Sequence, residues 1–175
     1  VELAEKIKAL APRSMARVFY QTSGSEANDT QVKFAWYYQN ALGRPKKKKI
    51  ISRMKGYHGV TIVAASMTGL PYNHRDWDLP VPGILHARAP HHWKEAVPGE
   101  DEAAFTRRLA EEFDALVLAE GPETIAAFIA EPVMGAGGVL MPPKAYFDKV
   151  NAILAKYDTR FIADEVICGF RRTSN

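Results

Sequence analysis

The sequence has only one cysteine and no long apolar run, and these two absences restrict the kind of protein it can be. Cys168 alone cannot form an internal disulfide or a cysteine-rich zinc site. We therefore expect a reducing compartment, with the cytoplasm as the default location. The pair His91-His92 lacks the spacing of two metal ligands on a helix and has no evident carboxylate partners, so no metal is expected either. No apolar stretch reaches the roughly 18 residues that a membrane-spanning helix requires, so no membrane partner is expected.

An excess of charge of one sign is also lacking. The sequence has 23 Lys and Arg against 20 Asp and Glu, which gives a net charge of +3, and apart from the run 46–49 the basic residues are scattered. Proteins that bind nucleic acid concentrate basic side chains on one face. Nucleic acid is therefore not an expected partner.

The sequence does contain enough apolar material for one substantial core, since 47% of its 175 residues are hydrophobic. It begins without Met in a helical pattern of Leu3, Ile7 and Leu10, and it stops soon after an apolar segment typical of a buried strand. We expect an excerpt of a longer protein, truncated at both ends.

Apolar segments typical of strands alternate along the chain with segments of helical spacing. This alternation predicts an α/β fold with a mostly parallel sheet flanked by helices. The stretch 69–99, rich in Pro, His and Trp, is predicted to be a long irregular excursion, and such loops in enzymes are often functional. The predicted strands are 16–22, 49–53, 125–130 and 160–163, and the predicted helices are 25–42, a small-residue segment ending at 67, 102–119 and 145–157.

Ser23, Gly24 and Ser25 stand between a predicted strand and a predicted helix. Gly24 allows close approach of the backbone to a ligand, the serines offer hydroxyl groups, and a helix N-terminus favours an anion such as phosphate. An ordinary capping box of Ser23 with Glu26 explains the same residues equally well.

Two further segments follow predicted strands. Tyr57, held between glycines in 56–59, could stack on a flat cofactor, although a packed tyrosine is the more common use of such a residue. Glu131 begins a glycine-rich loop that could pass near a ligand, and a plain glycine-rich turn is the alternative.

Asp164 and Glu165 end the apolar segment 160–163. A buried aspartate can keep a pyridinium nitrogen protonated, which makes the ring an electron sink. The competing interpretation is the Mg²⁺-binding aspartate of a nucleotide hydrolase. That interpretation needs an upstream G-x-x-x-x-G-K-[ST] motif, which the sequence lacks.

In order and identity, these segments closely resemble the class III pyridoxal-phosphate-dependent aminotransferases, and within them the ω-amino acid or amine:pyruvate transaminases. The resemblance runs from 19 to 173 and implies the large domain of a fold type I pyridoxal-phosphate transferase, with 1–175 as part of it. The small domain and the lysine that binds the cofactor covalently are expected beyond the chain. The motifs are Ser23-Gly24-Ser25-Glu26-Ala27-Asn28, Gly56-Tyr57-His58-Gly59, Glu131-Pro132, Ala163-Asp164-Glu165-Val166 and Gly169-Phe170.

The resemblance also implies a role for each matching residue. It assigns the cofactor phosphate to Gly24 and Ser25, next to Ser23, and the stacking on the pyridine ring to Tyr57. It makes Asp164 the partner of the ring nitrogen and hence the catalytic residue of this segment. The remaining cofactor-binding predictions are Val166 on the opposite ring face, Glu131 as a carboxylate that positions the aspartate region, and His58, which stacks or hydrogen-bonds nearby or is structural.

Departures from the family pattern bear on the substrate. Members specific for ornithine or γ-aminobutyrate have Glu where Ala136 stands and Gln where Ile167 stands, so both residues favour the amine and β-alanine:pyruvate branch. The usual Gly-Phe-Gly-Arg-Thr-Gly is replaced at 169–174, which puts the geometry of that loop in question.

The implied function is transfer of an amino group from an amine or ω-amino acid to a keto acid such as pyruvate, in a homodimer that shares its active site. A decarboxylase or aminomutase of the same family is the nearest alternative, because fold does not fix the reaction. A non-catalytic, cofactor-binding remnant is the other alternative.

Overall fold

The computed structural model describes residues 1–170 and 172, in which four parallel strands form one sheet between two layers of helices. Two short 3-10 turns, Pro71–Asn73 and Pro122–Thr124, lie between the main elements. The strands are β1 Lys49–Arg53, β2 Ile84–Ala87, β3 Ile125–Ala130 and β4 Arg160–Ala163. The helices are α1 Glu2–Leu10, α2 Gly24–Ala41, α3 Ile62–Met67, α4 His92–Glu95, α5 Glu102–Glu120 and α6 Tyr146–Lys156.

The strands lie in the order β2-β1-β3-β4, and every neighbouring pair is parallel. β3 is central, and all six of its residues are buried because helices cover both faces of the sheet. In a parallel sheet the carboxyl ends of all strands meet at one edge. The loops that follow β1, β3 and β4 are therefore brought together there.

Alternate residues of the central strands face two separate cores. Ile51 and Phe128 pack on one side with α5 and α6, whereas Ile50 and Ile129 pack on the other side with α2 and α3. These four side chains are fully buried, and each contributes on the order of 2 kcal/mol of hydrophobic stabilisation. The packing fixes the sheet edge on which the polar loops depend. None of the described helices is long and apolar enough to cross a membrane.

Ser23 is the N-cap of α2, and its Oγ accepts a hydrogen bond from the N–H of Glu26 at 3.2 Å. The helix starts beside the carboxyl end of β4, since Asn28 in its second turn contacts Asp164. The first turn of α2 thus faces the same edge as the strand-end loops.

The α/β fold with a parallel sheet is confirmed, and the predicted strands 49–53, 125–130 and 160–163 are observed with the same bounds. The predicted strand 16–22 is wrong: that segment is irregular and largely exposed, because no strand in the described part of the chain offers it a ladder partner. The prediction that 69–99 is irregular throughout is also wrong. Ile84–Ala87 forms β2, which hydrogen-bonds to β1 along its length.

Candidate active site

A cavity of about 180 Å³ lies at the carboxyl edge of the sheet, between the first turns of α2 and the loops after β1, β3 and β4. All the predicted site residues except Ser23 line it. Ser23 instead caps α2 with an exposed side chain, as the capping alternative expected. The lining consists of Gly24, Ser25, Asn28, Tyr57, His58, Gly59, Glu131, Asp164, Val166 and Ile167.

Asp164 is the buried carboxylate of this cavity, with 6% of its surface exposed. Its Oδ2 accepts hydrogen bonds from Nδ2 of Asn28 at 2.9 Å and from Nδ1 of His58 at 2.8 Å. Its Oδ1 accepts from the backbone N–H of Val166 at 3.2 Å. The carboxylate is therefore fixed by three donors from three different segments.

These donors decide the charge of Asp164. Burial raises the pKa of the carboxyl, but the hydrogen bond and the charge of His58, followed by the donors on Asn28 and Val166, outweigh it and leave the pKa below its ordinary value. Asp164 is consequently ionised at neutral pH, and the cavity offers a fixed negative charge to a cationic ligand group.

The backbone N–H, the backbone carbonyl and the ring of His58 all make hydrogen bonds. Its N–H donates to Oγ1 of Thr68 at 2.9 Å, and its carbonyl accepts from Nδ2 of Asn28 at 2.8 Å. Since Nδ1 faces an ionised carboxylate oxygen, Nδ1 carries a proton and acts as the donor. Nε2 is buried and has no hydrogen-bond partner among the described residues. The geometry favours the hydrogen-bonding role predicted for His58, because its ring edge is directed at Asp164.

Glu131 holds two loops of the cavity in place. Its Oε1 accepts from the backbone N–H of Tyr57 at 2.9 Å, and its Oε2 accepts from that of Gly135 at 3.1 Å. The residue is 4% exposed. Within the described part of the chain both acceptor contacts of Glu131 are with backbone N–H groups, so the carboxylate positions the chain and fixes the half-buried Tyr57 at the cavity wall.

Arg53, the last residue of β1, hydrogen-bonds to the backbone of Glu131. Its guanidinium is fully buried, lies 5.6 Å from the ring centre of Phe147, and donates from Nη2 to the carbonyl of Glu131 at 2.5 Å. Sequence reasoning gave this residue no role. The available signal was a charged residue ending an apolar strand, which is rarely buried without a structural purpose.

The N-terminus of α2 supplies donors suited to an anion. The N–H groups of Gly24 and Ser25 begin the helix and have no acceptor inside it. Oγ of Ser25 accepts from the N–H of Val60 at 3.0 Å, which leaves the hydroxyl proton for another acceptor. Gly59 has φ +132, and a Cβ there would lie 2.9 Å from Cα of Ser25, so the 56–59 loop packs directly on this turn.

Val166 and Ile167 close another side of the cavity. A Cβ on Gly24 would lie 3.0 Å from Cγ2 of Val166, so any larger residue at position 24 would displace the Val166 side chain. Ile167 is 47% exposed and contacts the loop after β3 at Gly135. Ala136 follows in that loop with an exposed side chain.

Two further sequence predictions concern metal ligands and the loop 169–174. In residues 1–170 and 172, no three His, Cys, Asp or Glu side chains come together as metal ligands. The unusual loop sequence 169–174 includes Arg171, Thr173 and Ser174, which lie outside the described residues.

The whole chain, residues 1–175, matches the family model of the class III aminotransferases. Gamma aminobutyrate transaminase 1, mitochondrial, of Solanum lycopersicum is 60% identical over 168 residues, which are 96% of this chain and 33% of that protein. Among the solved structures that match, two examples are each 60% identical to this chain. The structure of a transaminase with L-Ala superposes with a TM-score of 0.97. The match covers 99% of this chain and 41% of that transaminase chain. The omega transaminase from Pseudomonas jessenii in complex with PMP superposes with a TM-score of 0.96. The match covers 98% of this chain and 38% of that transaminase chain.

This chain thus spans between 33% and 41% of the length of these matched proteins.

Proposed function

The chain belongs to the class III aminotransferase family, and from that membership we propose that the full-length protein is a pyridoxal-phosphate-dependent transaminase. It would move an amino group from an amine or ω-amino acid to a keto acid such as pyruvate. One observation carries the proposal: Asp164 is a buried, ionised carboxylate in a cavity that also contains a helix N-terminus and an aromatic wall.

The chemistry of the lining fits this cofactor. The N–H groups of Gly24 and Ser25 and the hydroxyl of Ser25 suit a phosphate, with Ser23 ordering the turn as its N-cap. Tyr57 and Val166 offer apolar surface to the faces of a flat ring. The negative charge of Asp164 suits a protonated ring nitrogen.

When bound, pyridoxal phosphate supplies an electron sink for the carbanion formed as the substrate amine loses its α-proton. Asp164 would hold the ring nitrogen protonated, and His58 would support Asp164 through Nδ1. Glu131 would keep Tyr57 against the ring by binding its backbone N–H. These residues act through fixed charge and position, which is the form of catalysis that a preorganised site provides.

The covalent attachment of the cofactor would come from outside these residues. None of the residues that line the cavity is a lysine. We therefore place the lysine, together with the small domain, in other parts of the full-length protein. The cavity is also smaller than the roughly 300 Å³ at which pockets for small molecules begin, so further walls are needed to enclose substrate.

A second copy of the protein would supply some of those walls. A hollow of about 740 Å³ beside Gly59 is lined by exposed apolar side chains, among them Val60, Ile62, Tyr72 and Trp77. Exposed apolar side chains that are grouped on one surface often mark an interface. We propose a homodimer that shares its active site, and light scattering of the full-length protein would test it.

Ala136 and Ile167 favour amine donors within this reaction class. Ala136 cannot pair with an arginine, and Ile167 has no donor for the 3-oxygen of a pyridoxal ring. The relative from Solanum lycopersicum is a γ-aminobutyrate transaminase by name, so an ω-amino acid should be tested as a donor together with amines.

Cys168 is 1% exposed and has no disulfide partner among the described residues, and a reducing compartment is compatible with such a thiol. We propose the cytoplasm as the location. The relative from Solanum lycopersicum has a mitochondrial designation in its name. Cell fractionation that finds this protein in an organelle would refute the proposal.

The central test uses the full-length protein after addition of pyridoxal phosphate and removal of the excess. A visible absorption band from retained cofactor, and alanine formed from pyruvate with an amine donor, are expected. Asp164→Ala should lower the rate by about two orders of magnitude or more, the scale of losing a preorganised charge at the reacting group. Glu165→Gln, at the exposed neighbouring carboxylate, is the control and should remain active.

Absence of the band in the wild-type protein would refute the proposal. Release of CO₂ without alanine would instead favour the decarboxylase alternative.

A further inference from the structure

Asn28 makes two hydrogen bonds at the centre of the cavity, although the sequence gave it no role of its own. It lies in the second turn of α2 and is 5% exposed. Its Nδ2 donates to Oδ2 of Asp164 at 2.9 Å and to the carbonyl of His58 at 2.8 Å. One amide nitrogen thus joins the helix, the 56–59 loop and the end of β4.

The orientation of this amide is fixed by its partners. An amide nitrogen has two hydrogens, and both have acceptors here. Rotating the group by half a turn would direct Oδ1 at a carboxylate oxygen and a carbonyl oxygen, neither of which can donate. Asn28 can therefore serve only as a double donor.

The consequence for Asp164 is a fixed rotation of its carboxylate. Among the residues that the structure describes, Oδ2 accepts from both Asn28 and His58, whereas Oδ1 accepts only from the N–H of Val166. Oδ1 therefore has more remaining capacity to accept a hydrogen bond from a ligand. If Asn28 lost its donor, one of the two restraints on Oδ2 would be lost.

We propose that Asn28 is a positioning residue for the ring-nitrogen site, whose side-chain amide sets the rotation of the Asp164 carboxylate. The inference rests on the proposed function, because it takes the ligand to be a protonated pyridine ring. Three elements meet at this amide, so a purely structural role is the competing explanation.

Two substitutions separate these roles. Asn28→Ala removes the donor, and Asn28→Asp keeps the size of the side chain but replaces the amide with a carboxyl. A carboxyl placed beside Asp164 would share a proton with it, since two carboxylates in contact resist double ionisation. In mildly acid solution the shared proton restores a donor toward Asp164. In mildly alkaline solution the donor is lost and the two charges repel.

The measurement is the dissociation constant of pyridoxal phosphate. It is obtained from the absorbance of full-length protein titrated with cofactor at a series of pH values, from mildly acid to mildly alkaline. Asn28→Ala should bind about tenfold more weakly at every pH, the scale of losing one hydrogen bond to a charged group. Asn28→Asp should bind nearly as the wild type does in acid and progressively more weakly as pH rises.

Other titratable groups line the same cavity, namely Tyr57, His58 and Glu131. They are common to all the variants, so the ratio to wild type at each pH isolates the introduced carboxyl. Asn40→Asp is the matched control, because Asn40 is an exposed residue near the other end of α2 whose Oδ1 accepts from Lys48. It should bind cofactor as the wild type does.

A purely structural role would weaken binding without this pH dependence. Wild-type affinity for Asn28→Asp at every pH would overturn the positioning role. The same holds for a defect that does not change with pH. If Asn28→Ala does not fold, the isosteric Asn28→Asp alone decides. A wild-type protein that binds no pyridoxal phosphate would overturn the proposed function itself, and that outcome is visible before any variant is compared.

Discussion

Replacing Glu131 by glutamine should loosen two loops of the active site without unfolding the sheet. In the wild type, each carboxylate oxygen of Glu131 accepts one backbone N–H, from Tyr57 at 2.9 Å and from Gly135 at 3.1 Å. An amide has only one oxygen. Whichever way it turns, its NH₂ group faces one of these N–H groups, and that donor is left buried without an acceptor.

The expected magnitude follows from these contacts. A hydrogen bond to a charged group contributes about 1.5 to 3 kcal/mol, so Glu131→Gln should destabilise one loop by about 2 kcal/mol. Converted to a local opening equilibrium, this corresponds to about 30-fold faster amide exchange in that loop. The hydrogen bond from the Arg53 guanidinium is accepted by the backbone carbonyl of Glu131 and does not involve the Glu131 side chain. It should therefore persist in the variant and keep β1 and β3 in register.

Hydrogen–deuterium exchange with mass spectrometry measures this directly in peptides covering 56–59 and 133–138. Faster exchange in at least one of them is expected, with the peptide of β3 unchanged. Glu165→Gln makes the same chemical change on an exposed side chain and should leave both loops unchanged. Wild-type exchange in both loops, or equal acceleration by Glu165→Gln, would refute this account of Glu131.

Two more predictions concern Asp164 and Gly24. The pKa of Asp164 is below its ordinary value, so its ionised form stabilises the fold above the unfolded-state pKa, about 4, and this contribution is lost as pH falls through the lower folded value. The difference in Tm between wild type and Asp164→Asn, without cofactor, should therefore shrink on acidification, and a constant difference would contradict it. Gly24→Ala would place a Cβ 3.0 Å from Val166. It should weaken cofactor binding several-fold with little change in Tm, whereas unchanged affinity would show that Val166 moves freely.

Much of the scaffold was predictable because its signals are local. The apolar runs of β1, β3 and β4, the periodicity of α5 and the serine before α2 each act within a few residues, and their predicted positions agree with the structure. The order of motifs also identified the family, as the match over 1–175 confirms. Local sequence patterns failed to predict strands where strand formation depends on pairing with another strand. The segment 16–22 has strand-like residues but no neighbouring strand among the described residues, whereas Ile84–Ala87 became β2 by pairing with β1.

The sequence by itself determined which residue types stand at the strand ends, and hence that Gly24, Ser25, Tyr57, Glu131, Asp164 and Val166 were candidates for one site. Only the tertiary structure decided what each of them contacts. Asn28 and Asp164 are 136 residues apart in the chain, and His58 and Asp164 are 106 apart. Such contacts depend on the order of the strands and the register between them. No local pattern specifies either one, because both are fixed by packing between distant segments.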